Sequence, residues 1–367
     1  MPLADRALVV GINVYPGIGP LSGAENDAND FYDWVVDPKG GNVAKENAKK
    51  ILSTDFPKPG GVADARPAEE EFRAFFSGIN SASRQNNTDG IGLKAGNRLW
   101  LFFSGHGFAP SLDRSGVLMA NATLDEVHNV AAMLWANRLH EGGWFDDVLL
   151  FQDACRSRVA DGDLTPPFLR PRQAPNGQLR RRFYAFSAKN KKLSKELPFP
   201  AGARGVFTLT LLQGLRGQAR DPKTGAVTTS QLKAYLQDNM KTYLSKADLE
   251  DDDIAKEPEV YDPDPFDIVP APPAAAGAPG GAPAVAPAAV PDFPVRISIS
   301  QPNRRARIEN GSFVTVDSAD PAPQDWPVRR LPRGIYKLIV DGIGESLFQV
   351  AGMLNPDGTE REEHVRI

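Results

Sequence analysis

The chain has one cysteine among its 367 residues, which excludes an internal disulfide and a four-thiolate zinc site. It lacks any apolar run near the roughly 18 residues that a membrane-spanning helix needs. Basic charge is not in excess, because the formal net charge is −4, whereas nucleic acids and anionic membranes attract basic proteins. No signal-peptide layout opens the sequence. We therefore expect a cytoplasmic protein whose partners include no nucleic acid and no membrane.

The remaining composition is typical of a globular protein, with 41% apolar and 24% charged residues, and the length allows two or three domains. Glycine and proline are numerous, at 33 and 32 residues. Much of this excess falls in residues 270–291, which contain only Pro, Ala, Gly and Val and predict an extended tether. We divide the chain into a domain at 1–262, a linker at 263–292 and a small β domain at 293–367.

Strand and helix patterns alternate before the linker. Strands are predicted from apolar runs at 7–15, 48–54, 98–104, 147–152 and 183–187. Helices are predicted from amphipathic patterns at 28–36, 67–79, 130–140, 206–215 and 230–244. Asn26 and Asp27 are candidate caps for the first helix, and Pro67 is placed in the first turn of the second. This alternation predicts an α/β fold with a mostly parallel sheet flanked by helices on both faces.

The region after the linker has a different pattern. Short alternating segments at 295–300, 312–316, 335–340 and 347–350 are separated by Gly, Pro and Asn. They predict a small, antiparallel, sandwich-like all-β domain. No catalytic motif is visible in it, and a regulatory or partner-binding role is the natural expectation.

Two predicted strands end in reactive residues. The third is followed by His106 and the fourth by Cys155, and the carboxyl ends of strands are where open α/β sheets place their sites. A histidine can stabilise a thiolate and later protonate a leaving amine. The N–H groups of Gly107 and Cys155 are candidates for an oxyanion hole. A lone cysteine or histidine is more often structural. Here the two residues both lie at the ends of predicted strands, and this placement favours a catalytic dyad.

The motifs Ser104-Gly105-His106-Gly107 and Gln152-Asp153-Ala154-Cys155-Arg156 resemble those of caspase-like cysteine peptidases, over about residues 5–250. In caspases a histidine lies about 50 residues before the cysteine, and here the interval is 49. The acidic residue two places before the cysteine, and the Leu-x-Gly-x-x-Asn-Asp pattern at 21–27, are similar to metacaspases and their bacterial relatives, the orthocaspases. The resemblance implies a caspase-like sheet and a cysteine endopeptidase that requires no cofactor.

In metacaspases the matching residues line the pocket for the residue before the scissile bond. The resemblance therefore implies a substrate pocket of Asp27, Ser104 and Asp153. Two carboxylates in such a pocket suit an arginine guanidinium, so we expect cleavage of exposed arginine sites in protein substrates, with lysine weaker. The structural alternatives are a helix cap for Asp27 and support of the strand turn for Asp153. Metacaspases often have a cysteine at the position of Ala24, so the pocket is not identical.

Caspase-like zymogens are often cut in the loop after the cysteine. Here residues 156–182 carry basic candidate processing sites at Arg170, Arg172, Arg180, Arg181 and Arg182. Either the chain itself or an upstream activating protease would cut there, unless the segment is simply a charged surface loop.

Metacaspases commonly need calcium, which takes several oxygen ligands. Asp161, Asp163, Asp125 and Glu126 are available, but their spacing assembles no recognisable site. Calcium activation therefore stays open and no metal ligand is assigned. The acidic run at 248–253 is interpreted as a solvated stretch.

The leading interpretation is an arginine-directed endopeptidase in a proteolytic cascade, and the resemblance implies regulated cell death or antiviral defence. The alternative is a catalytically silent caspase-homology scaffold that binds a protein partner. A flavodoxin-like nucleotide binder is disfavoured, since residues 17–20 are too short and too proline-bound for a phosphate loop.

Overall fold

The structure is a computed structural model of the chain. It describes residues 3–111, 114–156, 163–199, 202–271, 292–310, 315–332, 334–350 and 363–366. The chain divides into two compact units, one of residues 1–198 and 202–272 and the other of residues 199–201 and 273–367. Most of the predicted linker, residues 272–291, lies outside the described residues. Within the ranges described, every helix is too short or too polar to cross a membrane.

The first unit mixes strands and helices. Its strands are β1 (Arg6–Gly11), β2 (Ala48–Leu52), β3 (Arg98–Ser104), β4 (Gly107–Ser111), β5 (Arg114–Leu118), β6 (Asn129–Val130), β7 (Asp147–Asp153), β8 (Arg181–Phe186), β9 (Glu196–Leu197), β10 (Arg204–Gly205), β11 (Val227–Thr228), β12 (Glu259–Tyr261) and β13 (Asp267–Val269). Its α-helices are α1 (Ala24–Val36), α2 (Glu69–Thr88), α3 (Ala132–Glu141), α4 (Val206–Gln213), α5 (Thr229–Asn239) and α6 (Lys246–Glu250).

A six-stranded sheet in the order β12-β8-β7-β3-β1-β2 forms the centre of this unit. All neighbouring strands run parallel except β12, which is antiparallel to β8. The predicted α/β fold with a mostly parallel sheet is therefore confirmed. Ser104 at the end of β3 pairs in register with Asp153 at the end of β7. Because His106 and Cys155 each follow this pair by two residues, the two strands deliver them to one edge of the sheet.

Helices cover both faces because successive side chains of each strand point to opposite sides. On one face Phe102 of β3 stacks on Phe31 of α1, with ring centroids 4.4 Å apart. On the other, Phe103 packs in a core that includes Phe76 of α2 and Trp135 of α3. The last two stack with centroids 3.7 Å apart. Each fully buried phenylalanine stabilises the fold by about 1.5–3 kcal/mol, so the strand ends are fixed on a rigid base.

The first helix begins earlier than predicted, and its cap is different. Gly23 is the N-cap of α1, so Asn26 and Asp27 are not caps but lie in the first turn. The chain leaves the sheet after Gly11, and the N–H groups of Asn13 and Val14 both donate to Ser53 Oγ at 3.0 Å. Residues 12–15 therefore form a loop at the carboxyl end of the sheet, where the apolar run predicted a strand.

The predicted start of helix α2 was also wrong. It begins at Glu69 and is capped by Ala68, whose N–H donates to Glu71 Oε2 at 2.8 Å. Pro67 thus precedes the helix, and it is not in its first turn. No sequence pattern predicted the hairpin of β4 and β5, which starts directly after His106.

The second unit is all-β. Its strands are β14 (Asp292–Ser298), β15 (Ala306–Asn310), β16 (Thr315–Ala319), β17 (Asp325–Pro332), β18 (Gly334–Val340), β19 (Gly344–Val350) and β20 (Glu363–Arg366). They form two sheets, β17-β14-β20 and β16-β15-β18-β19, with one shared core that includes Trp326 and Leu338. This sandwich is not wholly antiparallel as expected, because β20 returns beside β14 in parallel.

Candidate active site

The site lies where β3 and β7 end. The N–H of Gly105 donates to the carbonyl of Asp153 at 3.2 Å, which joins the two strand tips. A Cβ on Gly107 would lie 2.8 Å from both Ala154 Cβ and the Cys155 carbonyl oxygen. Only glycine lets the chain after His106 pass so close to the cysteine backbone. The predicted dyad and oxyanion residues, His106, Gly107 and Cys155, are therefore brought to the same edge of the sheet.

The orientation of His106 is set by two contacts that the sequence did not indicate. Its Nε2 lies 2.9 Å from the carbonyl oxygen of Gly19. Since a carbonyl only accepts, Nε2 carries the proton and Nδ1 is left as the basic nitrogen. Tyr15 packs edge-on against the imidazole, with ring centroids 4.7 Å apart. Its Oη accepts the His106 N–H and donates to the Leu118 carbonyl, both at 3.1 Å.

Burial acts on both members of the dyad. It lowers the pKa of His106, although the hydrogen bond to Gly19 partly opposes that shift. It raises the pKa of the Cys155 thiol, and the negative charges of Asp153 and Glu196 act in the same direction, whereas the Ser194 N–H lowers it. Both shifts favour the uncharged forms, a neutral imidazole and a thiol. A cysteine in this form becomes nucleophilic only when a base accepts its proton.

Asp27 is a buried carboxylate, with 1% of its surface exposed. Its Oδ2 accepts hydrogen bonds from the Gly205 N–H at 3.0 Å and from Ser104 Oγ at 3.3 Å. The predicted pocket residues Asp27 and Ser104 are thus in direct contact. Burial raises the pKa of Asp27 well above its usual value, and the nearby Asp153 raises it further.

Asp153, which is 5% exposed, lies beside Asp27. It accepts hydrogen bonds from Thr208 Oγ1 at 2.7 Å, from the Thr208 N–H at 3.1 Å and from Ser194 Oγ at 2.6 Å. Burial raises its pKa despite these donors. Gly205 keeps the space between the two acids open, because a Cβ there would lie 2.1 Å from Asp153 Oδ2 and 2.8 Å from Asp27 Oδ2.

A third carboxylate, Glu196 in β9, was missed by sequence reasoning. It is half-buried, accepts the Gly23 N–H at 3.2 Å, and has its pKa raised by burial and by Asp153. The only signal in the sequence is one acidic residue in an otherwise basic loop. The pKa values of Asp27, Asp153 and Glu196 are all raised, although the positive charge of Arg204 partly opposes the shift at Asp27. A cation placed among these three acids would favour their ionised forms.

The candidate processing sites differ in accessibility. Arg181 and Arg182 lie within β8 of the central sheet, and Arg181 Nε is 2.8 Å from Asp147 Oδ1. Arg172 is half-buried, with its guanidinium carbon 3.6 Å from the ring centroid of Trp144. A peptidase binds an extended, accessible segment, so these three positions do not suit cleavage in the folded protein. Arg170 and Arg180 are exposed and remain candidates; residues 157–162 of this loop lie outside the described residues.

The described part of the chain contains no group of three or more His, Cys, Asp or Glu side chains that could hold a metal ion. Of the four acids considered for calcium, Asp125, Glu126 and Asp163 are exposed, and Asp161 lies outside the described residues. The described residues assemble no calcium site, and calcium activation stays a prediction.

The acidic run at 248–253 is not entirely solvated as expected. Asp248 is 9% exposed, and its Oδ1 lies 2.7 Å from Lys195 Nζ. The reason is that this segment packs against the loop that carries Ser194 and Glu196.

Comparison with known proteins identifies a family. Residues 4–250 match the caspase domain. The search of curated proteins gave no match. Among solved structures, pro-sf-caspase-1 is 11% identical and the alignment covers 71% of this chain and 91% of that chain, with a TM-score of 0.40. Caspase-1 from Spodoptera frugiperda is 12% identical, with coverages of 71% and 88% and a TM-score of 0.44.

Proposed function

The chain belongs to the caspase domain family, and from this premise we propose that it is a cysteine endopeptidase that cleaves proteins after arginine and, more weakly, after lysine. The observation that carries this specificity is the buried pair of carboxylates, Asp27 and Asp153, separated by the bare backbone of Gly205. A substrate guanidinium between them forms charge-assisted hydrogen bonds to both acids. A lysine ammonium has the charge without the planar fork, so it binds less well.

The reaction begins with proton transfer within the dyad. His106 Nδ1 takes the proton of the Cys155 thiol, and the thiolate sulfur attacks the carbonyl carbon of the bound arginine residue. The hydrogen bond from Nε2 to Gly19 orients the ring and stabilises the imidazolium that forms. The carbonyl oxygen becomes an oxyanion, and the N–H groups of Gly107 and Cys155 are the proposed donors that stabilise it.

The peptide bond then breaks as His106 gives its proton to the leaving amine. The product is a thioester on Cys155 and a free amino terminus. A water molecule next attacks the thioester while His106 accepts one of its protons. The second tetrahedral intermediate collapses to release the arginine carboxyl group, and the proton returns to the thiolate.

Glu196 adds to the selectivity of the pocket. With Asp27 and Asp153 it makes a third acid beside the proposed pocket, and the pKa values of all three are raised. An aspartate or glutamate before the scissile bond would add a fourth acid without a cationic partner, which costs several kcal/mol. The site therefore disfavours the acidic specificity that an arginine-lined pocket would give.

The biological setting is proposed from the family. The pocket favours a metacaspase-like or orthocaspase-like enzyme, made as a zymogen and acting in a proteolytic cascade of cell death or antiviral defence. Processing would fall at Arg170 or Arg180, cut by the chain itself or by an upstream protease. Sequencing the new N-termini after incubation tests this: wild type that stays intact while cleaving peptides contradicts it.

A panel of fluorogenic peptides with Arg, Lys or Asp before the reporter tests the proposed activity. Wild type, Cys155→Ala and Asp153→Asn would be assayed with and without calcium. We expect arginine cleavage by wild type alone, with no cleavage by Cys155→Ala. Aspartate cleavage would contradict the pocket assignment. If the wild type cleaves no peptide under any condition, including after nicking by trypsin, the proposed peptidase activity is wrong. The alternative, a protein-binding scaffold, would then remain.

A further inference from the structure

Ser194 contacts both halves of the active site. Its Oγ donates to Asp153 Oδ1 at 2.6 Å, on the side of the pocket. Its loop also pairs with the residue after Cys155, because the Arg156 N–H donates to the Lys192 carbonyl at 3.1 Å, and the backbone N–H of Ser194 acts to lower the pKa of the Cys155 thiol, against the larger effect of burial. One residue therefore joins the acid that binds arginine to the atom that attacks the peptide bond.

The backbone around Ser194 is held by the acidic segment 248–257, which begins within helix α6. The Leu193 N–H donates to the Asp253 carbonyl at 2.8 Å, and the Leu193 carbonyl accepts the Ala255 N–H at 2.9 Å. On the other side, the Lys195 carbonyl accepts the Val206 N–H at 2.9 Å. Ser194 thus sits between two anchored neighbours.

The side chain of Lys195 provides a further anchor. Its Nζ lies 2.7 Å from Asp248 Oδ1, with side-chain exposures of 35% and 12%. Asp248 is itself fixed, because its Oδ2 accepts from the Ser245 N–H at 3.1 Å and from Ser245 Oγ at 2.8 Å. A partly buried, geometrically fixed ion pair is worth more than an exposed one.

Helix α6, which contains Asp248, offers a second ion pair for comparison. Lys246 and Glu250 are 3.8 Å apart, but their side chains are 90% and 69% exposed. They touch neither the loop nor the site in any contact described. An ion pair of this kind contributes little to structure.

We propose that Ser194 is a positioning residue that couples the arginine pocket to the nucleophile, and that the ion pair of Lys195 with Asp248 sets it in place. The inference rests on the proposed function. When a guanidinium binds Asp153, the hydrogen bond from Ser194 Oγ holds the loop so that the Ser194 N–H stays on the Cys155 sulfur. An error of about 1 Å in such a contact costs about a hundredfold in rate.

The test compares Lys195→Met with Lys246→Met, which is the same change in the exposed pair. Lys195→Met keeps the aliphatic stem and leaves the Ser245 cap of Asp248 intact. We expect kcat/KM on an arginine reporter to fall about tenfold or more in Lys195→Met, and to stay unchanged in Lys246→Met. Lys195→Arg, which restores the charge, should recover most of the loss.

Alkylation of Cys155 by iodoacetamide, measured against pH, provides a readout that needs no substrate cleavage. We expect the thiol to titrate at higher pH in Lys195→Met and in Ser194→Ala. The charged groups that act on the thiol, Asp153 and Glu196, are present in every variant, so they do not account for a difference. Circular dichroism would establish that each variant is folded; Asp248→Asn, which retains an acceptor for Ser245, replaces Lys195→Met if that variant unfolds.

The outcomes separate this inference from the proposed function. Identical alkylation profiles and identical kcat/KM in Lys195→Met and wild type would overturn the role of the ion pair. An unchanged thiol titration in Ser194→Ala would overturn the role of Ser194. If the wild type cleaves no reporter, the proposed function fails, while the alkylation profile still decides whether Ser194 acts on Cys155.

Discussion

Burial favours the uncharged form of each reacting and binding side chain in the empty site. It raises the pKa of Cys155, lowers that of His106 and raises those of Asp27 and Asp153. Under the proposed specificity, a bound guanidinium would offset the cost of burying the two acids, because the pair would then have a cationic partner.

Tyr15 packs against the imidazole of His106 and accepts its backbone N–H. Tyr15→Phe keeps the ring against His106 but removes the acceptor of the His106 N–H and the donor to Leu118. We expect kcat to fall about tenfold with little change in KM, and the free energy of unfolding to drop by about 1–3 kcal/mol. Steady-state kinetics and urea denaturation measure both. Wild-type kcat in Tyr15→Phe would show that the hydroxyl does not position the histidine.

Asp27 is a buried acid whose proposed role in substrate binding comes at a cost in stability. Its folded-state pKa is raised, so the stability it contributes is present below pH 3.8 and is lost as the pH rises through the raised value. At pH 7 Asp27→Asn should therefore unfold at no lower urea concentration than wild type. Because the pocket loses a charge, kcat/KM for arginine should fall by about a hundredfold.

The control for this variant is Asp33→Asn, the same change at an exposed position of the same helix, α1. It should alter neither quantity. A destabilised Asp27→Asn that still cleaves after arginine would identify Asp27 as a structural residue and not as a ligand of the substrate.

Among the elements, α4 has the largest part in shaping the pocket. Its N-terminal residues direct the Gly205 N–H to Asp27 and the Thr208 N–H to Asp153. The partial positive charge of a helix N-terminus stabilises such acids. The helix thereby stabilises the two neighbouring carboxylates, and the positive charge of Arg204 also acts on Asp27.

Gly205→Ala tests how tightly α4 packs against the acids. The backbone at Gly205 has φ −70°, which alanine adopts freely, so only the new methyl group matters. It would clash with both carboxylates, and we expect kcat/KM for arginine peptides to fall by about a hundredfold, with Cys155 still alkylated. Gly78→Ala in α2, where no atom lies within 4 Å of the new carbon, should leave activity intact. Equal activity of the two variants would contradict the pocket geometry.

The elements also show how far sequence reasoning reached. β3 was predicted with its observed bounds, because a run of buried apolar residues has one stable setting between two layers of helices. This prediction also placed His106 and Cys155 just after the ends of β3 and β7. The sequence did not predict Gly19, Ser194 and Glu196 as site residues, since their positions depend on contacts with residues distant in the chain. The cap of α1 was misjudged because Asp27 bonds to Gly205, 178 residues away, and not to its own helix.

At the scale of the whole molecule, the two units have separate cores. The first is built around the central sheet and the second around Trp326 and its neighbours. All the candidate site residues lie in the first unit. The second unit contains none of these residues. Recruitment of a protein partner remains the prediction for it.

The stability of the whole molecule should report on the pocket through pH. A ligand that binds only the folded state raises its stability by about 2.7 kcal/mol at a hundred times Kd. Benzamidine, a small planar cation, would bind the ionised acids. Since the pKa values of Asp27, Asp153 and Glu196 are raised, acidification protonates these groups sooner than ordinary carboxyls and removes the ligand's partners. We therefore expect benzamidine to raise Tm more at pH 7.5 than at pH 5, and to raise it little in Asp27→Asn. The same increase in Tm at both pH values would mean that the cation binds elsewhere, and the assignment of the three acids to the arginine pocket would be wrong.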